Sequence, residues 1–179
     1  MRFTWQGGGS VRGVRWWAAL VLAGTLGGAT SALDCIGDAV WGRRGDETEL
    51  ALTTARTVLA LQFRSTSLKG WHASGATLMV HFAQGRCGAG YLLAGYAVGF
   101  DEKAGGRLAL ATRPSVRAVC GEAGAGWWRV ELPASIAQRL VDEPNGAILL
   151  ASPSGRGPVV HSRETFAFAP RLLVEGVAP

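Results

Sequence analysis

Residues 75–82 read GATLMVHF, and this stretch decides the fold because apolar and other side chains alternate along it. Leu78, Val80 and Phe82 occupy every second position, with Thr77 and His81 among the residues on the other side. Side chains of a β-strand point alternately to its two faces. The stretch therefore predicts a strand with one face in a dry core and the other face toward solvent.

The same alternation recurs in short apolar segments that are separated by Gly, Pro, Asp or Asn. Short strands at this spacing are typical of a β-sandwich or a β-barrel. The further predicted strands are Thr57–Phe63, Tyr91–Phe100, Trp127–Leu132, Gly146–Ser152, Pro158–Ser162 and Arg171–Val174.

One segment follows a helical period instead. Ile136, Leu140 and Val141 lie at helical spacing after Pro133, which predicts a short crossover helix over residues 134–141. An α/β sheet would need several more helical segments between its strands. We therefore expect an all-β domain with one short helix.

The first 32 residues have the layout of a secretory signal peptide. Arg12 and Arg15 precede the apolar run at 16–28, and Thr30-Ser31-Ala32 supplies small residues for cleavage. The apolar run is shorter than the roughly 20 residues that a membrane-spanning helix needs. We expect cleavage after Ala32, no membrane span in the mature chain, and a secreted, periplasmic or cell-surface location.

The positive charge of the chain does not indicate nucleic-acid binding. The formal net charge is +5, but three of the 18 basic residues lie in the predicted signal peptide, which leaves 15 against 13 acidic residues. The mature chain has no clustered basic stripe of the kind that tracks phosphates. We therefore expect no nucleic-acid partner.

The three cysteines, Cys35, Cys87 and Cys120, all follow the predicted cleavage site. In an oxidising compartment they predict one disulfide and one thiol left over. Cys87 and Cys120 both lie beside Gly in loop-like sequences and are the favoured pair, although all three pairings stay open. No CxxC motif, nearby His or Asp-rich loop indicates a metal site, so we expect no cofactor; a structural Ca²⁺ ion stays open without support.

Four segments, in order, resemble domains of the DNRLRE family. The first contains Gln62-Phe63-Arg64 and Ala76-Thr77-Leu78, where the family ends one strand and begins the next. The chain departs from the family pattern at Arg64, where the family has Asp, and at Leu108 or Leu110, where the family has Trp. The other matching positions are Phe100, Glu102, Pro114, Gly126-Trp127, Asn145-Gly146, Ser162, Glu164, Pro170, Leu172 and Val174.

This resemblance implies a jelly-roll-like β-sandwich related to carbohydrate-binding modules of secreted or cell-surface proteins. The sandwich domain would span residues 49–176. Residues 33–48 would form an N-terminal segment of the mature chain, and residues 1–32 would be the signal peptide.

The candidate catalytic residues form no familiar pattern. The Gly-x-Ser-x-Gly turn that presents a nucleophile is absent from the sequence. A glycoside hydrolase needs two carboxyl groups about 5–10 Å apart. Neighbours such as Asp101-Glu102 or Asp142-Glu143 would point to opposite faces of a strand, and Glu164 stands apart from both pairs. A polysaccharide-degrading enzyme is therefore the least favoured reading.

Aromatic residues offer better candidates for ligand contact. Trp127 shares its predicted outward face with Arg129 and Glu131, and Trp71-His72 falls in a predicted turn. Sugars bind flat aromatic faces with polar groups alongside, although a single exposed aromatic often only packs under a loop. His161 and Arg163 are weaker candidates. We predict a non-catalytic module that binds polysaccharide or cell-surface glycan; the alternative is a structural or adhesive protein that packs against other surface proteins.

Overall fold

The computed structural model describes residues 28–40, 48–52, 57–101 and 113–179. These residues form ten β-strands, one α-helix and two short 3-10 helices, Thr66–Leu68 and Phe166–Phe168. The strands are β1 (Ala29–Val40), β2 (Glu49–Ala51), β3 (Leu59–Phe63), β4 (His72–Gln84), β5 (Tyr91–Ala97), β6 (Val116–Gly124), β7 (Trp127–Leu132), β8 (Ala147–Ala151), β9 (Val159–His161) and β10 (Arg171–Val177), and the helix is α1 (Ala134–Asp142).

Strand β10 closes the sheet into a barrel because it pairs with a strand on each of its sides. It runs antiparallel to β1 on one side and to β4 on the other. The order β10-β1-β3-β8-β5-β6-β7-β4 therefore returns to β10 as a closed ring of eight antiparallel strands. Strand β9 pairs with the far end of β4, and β2 pairs with β9 outside the ring.

The all-β class and the helix predicted at 134–141 are confirmed, but the expected jelly-roll-like sandwich is wrong. A sandwich has two sheets with separate edges, whereas the β4–β10 pairing joins first and last strands into one surface. The predicted strands are all present. Strands β1, β2 and β6 were not predicted.

The apolar faces predicted from alternation fill the inside of the barrel. Leu59, Leu61 and Phe63 of β3 and Leu78 and Val80 of β4 have no exposed surface. An eight-stranded barrel is just wide enough for its inward side chains to fill it. The interior of this barrel is therefore a packed core.

Helix α1 crosses one end of the barrel, from the end of β7 to the start of β8. Its apolar face is buried, with Leu140 fully covered. The buried Ser65 hydroxyl, just after β3, donates to the Leu140 carbonyl at 2.9 Å, and the Gln138 side chain accepts from the backbone N–H of Ala73 in β4 at 2.8 Å. These contacts fix the helix against two different strands.

A disulfide joins Cys87, in the loop after β4, to Cys120 in β6, with their Cα atoms 6.2 Å apart. The favoured pairing is thus confirmed. The half-buried thiol of Cys35 donates to the Gly37 carbonyl at 3.3 Å.

Strand β1 begins at Ala29, so the predicted cleavage after Ala32 falls inside a strand. Residues Ala29 to Ala32 pair with Gly176 to Leu173 of β10, and the second half of β1 pairs with β3. The predicted N-terminal segment thus contributes a barrel strand. Residues 1–27 lie outside the described residues, and the signal peptide stays a prediction. Within the described ranges, no helix has the length and apolarity to cross a membrane.

Removal of residues 29–32 should loosen the seam between β1 and β10. We expect a chain that starts at Leu33 to be less stable than one that starts at Gly28 by about 1–3 kcal/mol, because two or three backbone hydrogen bonds of about 1 kcal/mol each are lost. Urea unfolding of the two chains measures the difference. Equal midpoints would show that pairing before Leu33 adds nothing, and cleavage after Ala32 would then be compatible with the full stability of the barrel.

The hydroxyl of Tyr96, a residue of β5 that is only 2% exposed, donates to the Glu143 carbonyl at the end of α1. Burial, and secondarily the negative charge of Glu143, raise the pKa of Tyr96 from 10.0 to about 12. Because the folded state holds this proton more tightly than the unfolded state, the stabilisation is complete below pH 10 and is lost as the pH rises through about 12.

The native protein should lose stability between about pH 10 and pH 12, as Tyr96 deprotonates. Tyr96→Phe should not show this loss. At neutral pH the variant should be less stable by about 1 kcal/mol, since it lacks the hydrogen bond. Urea midpoints measured against pH test both effects. Tyr91→Phe, the matched control, should keep the alkaline slope; an unchanged slope in Tyr96→Phe would contradict the assignment.

Candidate functional site

The outward side chains of β7 are Trp127, Arg129 and Glu131, and we call this set the β7 outer face. The side chains of Arg129 and Glu131 are 57% and 59% exposed, and the Arg129 Nε lies 4.0 Å from the Glu131 Oε1. Trp127 is half-buried. Val130 and Leu132 point inward and are buried, so the predicted division of β7 into two faces is confirmed.

Gly121 gives Arg129 a place to lie against the sheet. The two residues are directly opposite each other on β6 and β7. A Cβ atom on Gly121 would lie 2.9 Å from the Arg129 Nε, so any side chain at that position would push the guanidinium away. The Arg129 side chain therefore lies over the neighbouring strand β6 while it stays 57% exposed.

Trp127 packs against the rings of His81 and Phe168, and His161 packs against the same two rings, so these four residues form what we call the outer aromatic cluster. Its members are Trp127 of β7, His81 of β4, His161 of β9 and Phe168 of the second 3-10 helix. The edge-to-face contact between Trp127 and His81 has a centroid distance of 5.4 Å. Phe168 stacks on His81 at 4.0 Å and on His161 at 5.0 Å, and the two histidine rings are 5.0 Å apart.

The turn between β6 and β7 fixes the His81 ring. The Nε2 atom of His81 donates to the carbonyl of Ala125 at 3.1 Å, and Ala125 has a positive φ of 51°. A Cβ atom on the next residue, Gly126, would lie 2.6 Å from the same nitrogen. Because Nε2 carries the hydrogen in this contact, the Nδ1 atom of the neutral ring carries the lone pair.

A braced turn holds Phe168 over the two histidines. The Asp38 carboxylate of β1 accepts the backbone N–H of Arg163 at 2.7 Å, and the Thr165 hydroxyl donates to the Thr48 carbonyl at 3.1 Å. The N–H of Phe168 donates to the Thr165 carbonyl at 2.7 Å. The same turn presents Phe166 to solvent, with 95% of its surface exposed.

Trp71 and His72 lie at the opposite end of β4 from the outer aromatic cluster. His72 is nine residues before His81, and a strand rises about 3.3 Å per residue, so about 30 Å separates them. Trp71 packs against the core, its carbonyl accepts from the Gln138 side chain at 3.4 Å, and His72 is exposed. The five predicted ligand residues therefore lie in two separate places on the barrel.

Three of the candidate carboxylates, Asp142, Glu143 and Glu164, each have a local polar contact. Asp142 accepts from the Gln138 side chain at 2.9 Å, and Glu143 pairs with Arg139 at 3.1 Å. Glu164 pairs at 3.0 Å with Arg163, which also lies 3.7 Å from Asp38. Asp101 follows β5, and Glu102 lies outside the described residues. No three His, Cys, Asp or Glu side chains of the described ranges are close enough together to hold a metal ion.

Sequence reasoning missed the contact between His81 and His161. The two residues are 80 positions apart, and only the pairing of β4 with β9 brings them together. The one available signal was that both fall on the outward side of predicted strands next to buried residues, Phe82 and Val160. That signal places each histidine on the outer face of its strand, but it does not show which residue the histidine contacts.

Comparison with protein-family models and with curated proteins identifies no relative of this chain. A scan of protein-family models finds no match to the chain, and a search of the curated proteins finds none that matches. The resemblance to the DNRLRE family therefore stays a prediction.

Proposed function

We propose that this protein is an exported, non-catalytic module that binds polysaccharide or a cell-surface glycan on the β7 outer face. The observation that carries the proposal is the placement of Trp127 beside two exposed, oppositely charged side chains on a rigid barrel wall. The pairing of Trp127 with His81 and Phe168 holds the indole in place.

The residue types of the β7 outer face suit a sugar. The C–H face of a pyranose packs on an aromatic ring, and hydroxyl groups exchange hydrogen bonds with charged side chains alongside. Arg129 offers several donors in a fixed plane, and Glu131 offers only acceptors when ionised. Together they can donate hydrogen bonds to, and accept hydrogen bonds from, neighbouring hydroxyl groups of the sugar.

The packed interior supports a site on the outer wall. Inward residues such as Leu61, Leu78 and Val130 have no exposed surface, and α1 crosses one end. Ligand pockets of open barrels lie in their mouths. The outside of β4, β6 and β7 carries side chains that remain available for contact.

Trp127→Ala should weaken glycan binding by about 2 kcal/mol, or roughly thirtyfold, as expected for the central aromatic of a contact surface. The measurement is affinity electrophoresis of the purified mature protein in gels that contain different neutral and acidic polysaccharides. Arg129→Gln should also weaken binding. Trp71→Ala is the control for the other end of β4 and should leave the mobility shift unchanged.

Unfolding midpoints of each variant separate loss of binding from loss of fold. If the native protein migrates unretarded on every polysaccharide, the proposed function has no support. If Trp71→Ala abolishes retardation and Trp127→Ala does not, the binding site lies at the α1 end instead.

A second candidate function, adhesion to another protein, is favoured by Phe166. Phe166 is 95% exposed on a braced turn, and aromatic side chains are common among the residues that anchor a partner protein. On this reading Phe166→Ser should abolish self-association detected by light scattering at high protein concentration. A native protein that stays monomeric under these conditions would argue against self-adhesion through this turn.

A further inference from the structure

The strand register places two histidines and one glutamate in a row across three neighbouring strands. Phe82 of β4 pairs with Val160 of β9, so their neighbours His81 and His161 face each other on the outer side. His161 in turn pairs directly with Glu49 of β2. Adjacent strands are about 4.8 Å apart, so the three residues lie side by side on the outer surface of β4, β9 and β2.

The inner nitrogens of both histidines lack partners. The Nδ1 atoms of His81 and His161 are buried, and neither has a hydrogen-bond partner among the described residues. Buried polar atoms are nearly always paired in folded proteins, so two neighbouring exceptions need a physical explanation. A group that binds both nitrogens at once would supply it.

The distance between the two ring centres matches the distance expected for a shared metal ion. Imidazole nitrogen binds zinc at about 2.0–2.1 Å and the ring centre lies about 1.1 Å behind the nitrogen, so two imidazoles on one tetrahedral ion have centres about 5 Å apart. The centres of His81 and His161 are 5.0 Å apart. Since the His81 Nε2 donates to the Ala125 carbonyl, its Nδ1 has the free lone pair that a metal requires.

We propose that His81 and His161 bind a transition-metal ion of the zinc class through their Nδ1 atoms, with the Glu49 carboxylate as a third ligand. Imidazole prefers Zn²⁺, Cu²⁺ and Ni²⁺ over the oxygen-seeking Mg²⁺ and Ca²⁺. Glu49 is exposed, and the three groups do not converge in the present arrangement of the described residues. The Glu49 side chain therefore has to adopt another rotamer to bind the ion. Phe168, stacked on both rings, shields the ion from water.

The charges around the pair are compatible with a cation. The cationic side chain two residues after His161 is Arg163, which lies between the carboxylates of Asp38 and Glu164 at 3.7 and 3.0 Å. Those two acidic groups offset its charge. Glu49, which pairs with His161 across the sheet, adds a negative charge that attracts the ion.

Titration of the metal-free mature protein with Zn²⁺ tests the proposal, with Mg²⁺ and Ca²⁺ as negative controls. We expect saturable one-to-one binding by calorimetry and a rise in the unfolding midpoint. Loss of even an outer-shell partner weakens metal affinity about 10- to 100-fold, so His81→Gln and His161→Gln should each weaken it at least that much. Glu49→Gln should weaken binding by a smaller factor.

His72 is the matched control, since it is the third of the three histidines and lies at the other end of β4. His72→Gln should bind Zn²⁺ as the native protein does. The proposal would be overturned if the native protein showed no saturable Zn²⁺ binding. It would also be overturned if binding survived His81→Gln and His161→Gln but was lost in His72→Gln.

Nitrogen NMR of the three imidazole rings tests the same site without any substitution. In the metal-free protein, His81 should carry its hydrogen on Nε2, and Zn²⁺ should shift the Nδ1 signals of His81 and His161 while leaving His72 unchanged. A hydrogen on the His81 Nδ1, shared with His161, would mean that the pair satisfies itself and would overturn the metal site. Glycan binding is measured separately, so either proposal can fail without the other.

Discussion

The pairing of β10 with both β1 and β4 is the constraint on which the rest of the structure depends. Leu172 and Val174 of β10 point into the core with no exposed surface, while the backbone on both sides of the strand is used for pairing. Closing the ring removes the unpaired edges that would otherwise invite aggregation. It also fixes the register of every neighbouring strand, and so decides which outward side chains meet.

Strand β4 connects the closed ring to the outer aromatic cluster. Its 13 residues pair with β10 and β7 inside the ring and continue to β9 beyond it. Near its start, Ala73 bonds to Gln138 of α1, and near its end His81 joins the outer aromatic cluster. Because the interior is packed, the chemistry that this barrel offers lies on its outer wall.

Alternation in the sequence was enough to assign the faces of the strands but not their partners. The inward positions of β4 and β7, including Val80 and Val130, were assigned correctly since burial depends only on the period of two. Closure of the ring depends on whether β10 reaches β4, some 90 residues away, and no local pattern encodes that distance. A barrel and a sandwich therefore look alike in the sequence.

Other features were hidden by conflicting local signals. Strand β1 begins in small residues that also suit a signal cleavage site, and β6 contains the Gly and Ala residues of VRAVCGEAG, which blur the alternation. The Cys87–Cys120 pair was within reach of sequence reasoning because both residues lie beside Gly, although Cys120 and Gly121 lie in β6 and not in the loop that the sequence suggested. The β7 outer face was also predictable as a face, whereas its ring neighbours His81, His161 and Phe168 required the register.

The two proposed sites touch where His81 of the metal site packs against Trp127 of the glycan site, and this contact links them physically. The His81 ring contacts Trp127 at 5.4 Å and faces His161 at 5.0 Å, so an ion that fixes His81 also limits the motion of the indole. A ligand on Trp127 would restrict His81 in the same way, because coupling between two binding sites is reciprocal. The braced turn adds to this coupling, since Asp38 of β1 holds the segment that carries Phe168 over both histidines. Strand β1, which pairs with β10 in the closed ring, thus also helps to hold the outer aromatic cluster in place.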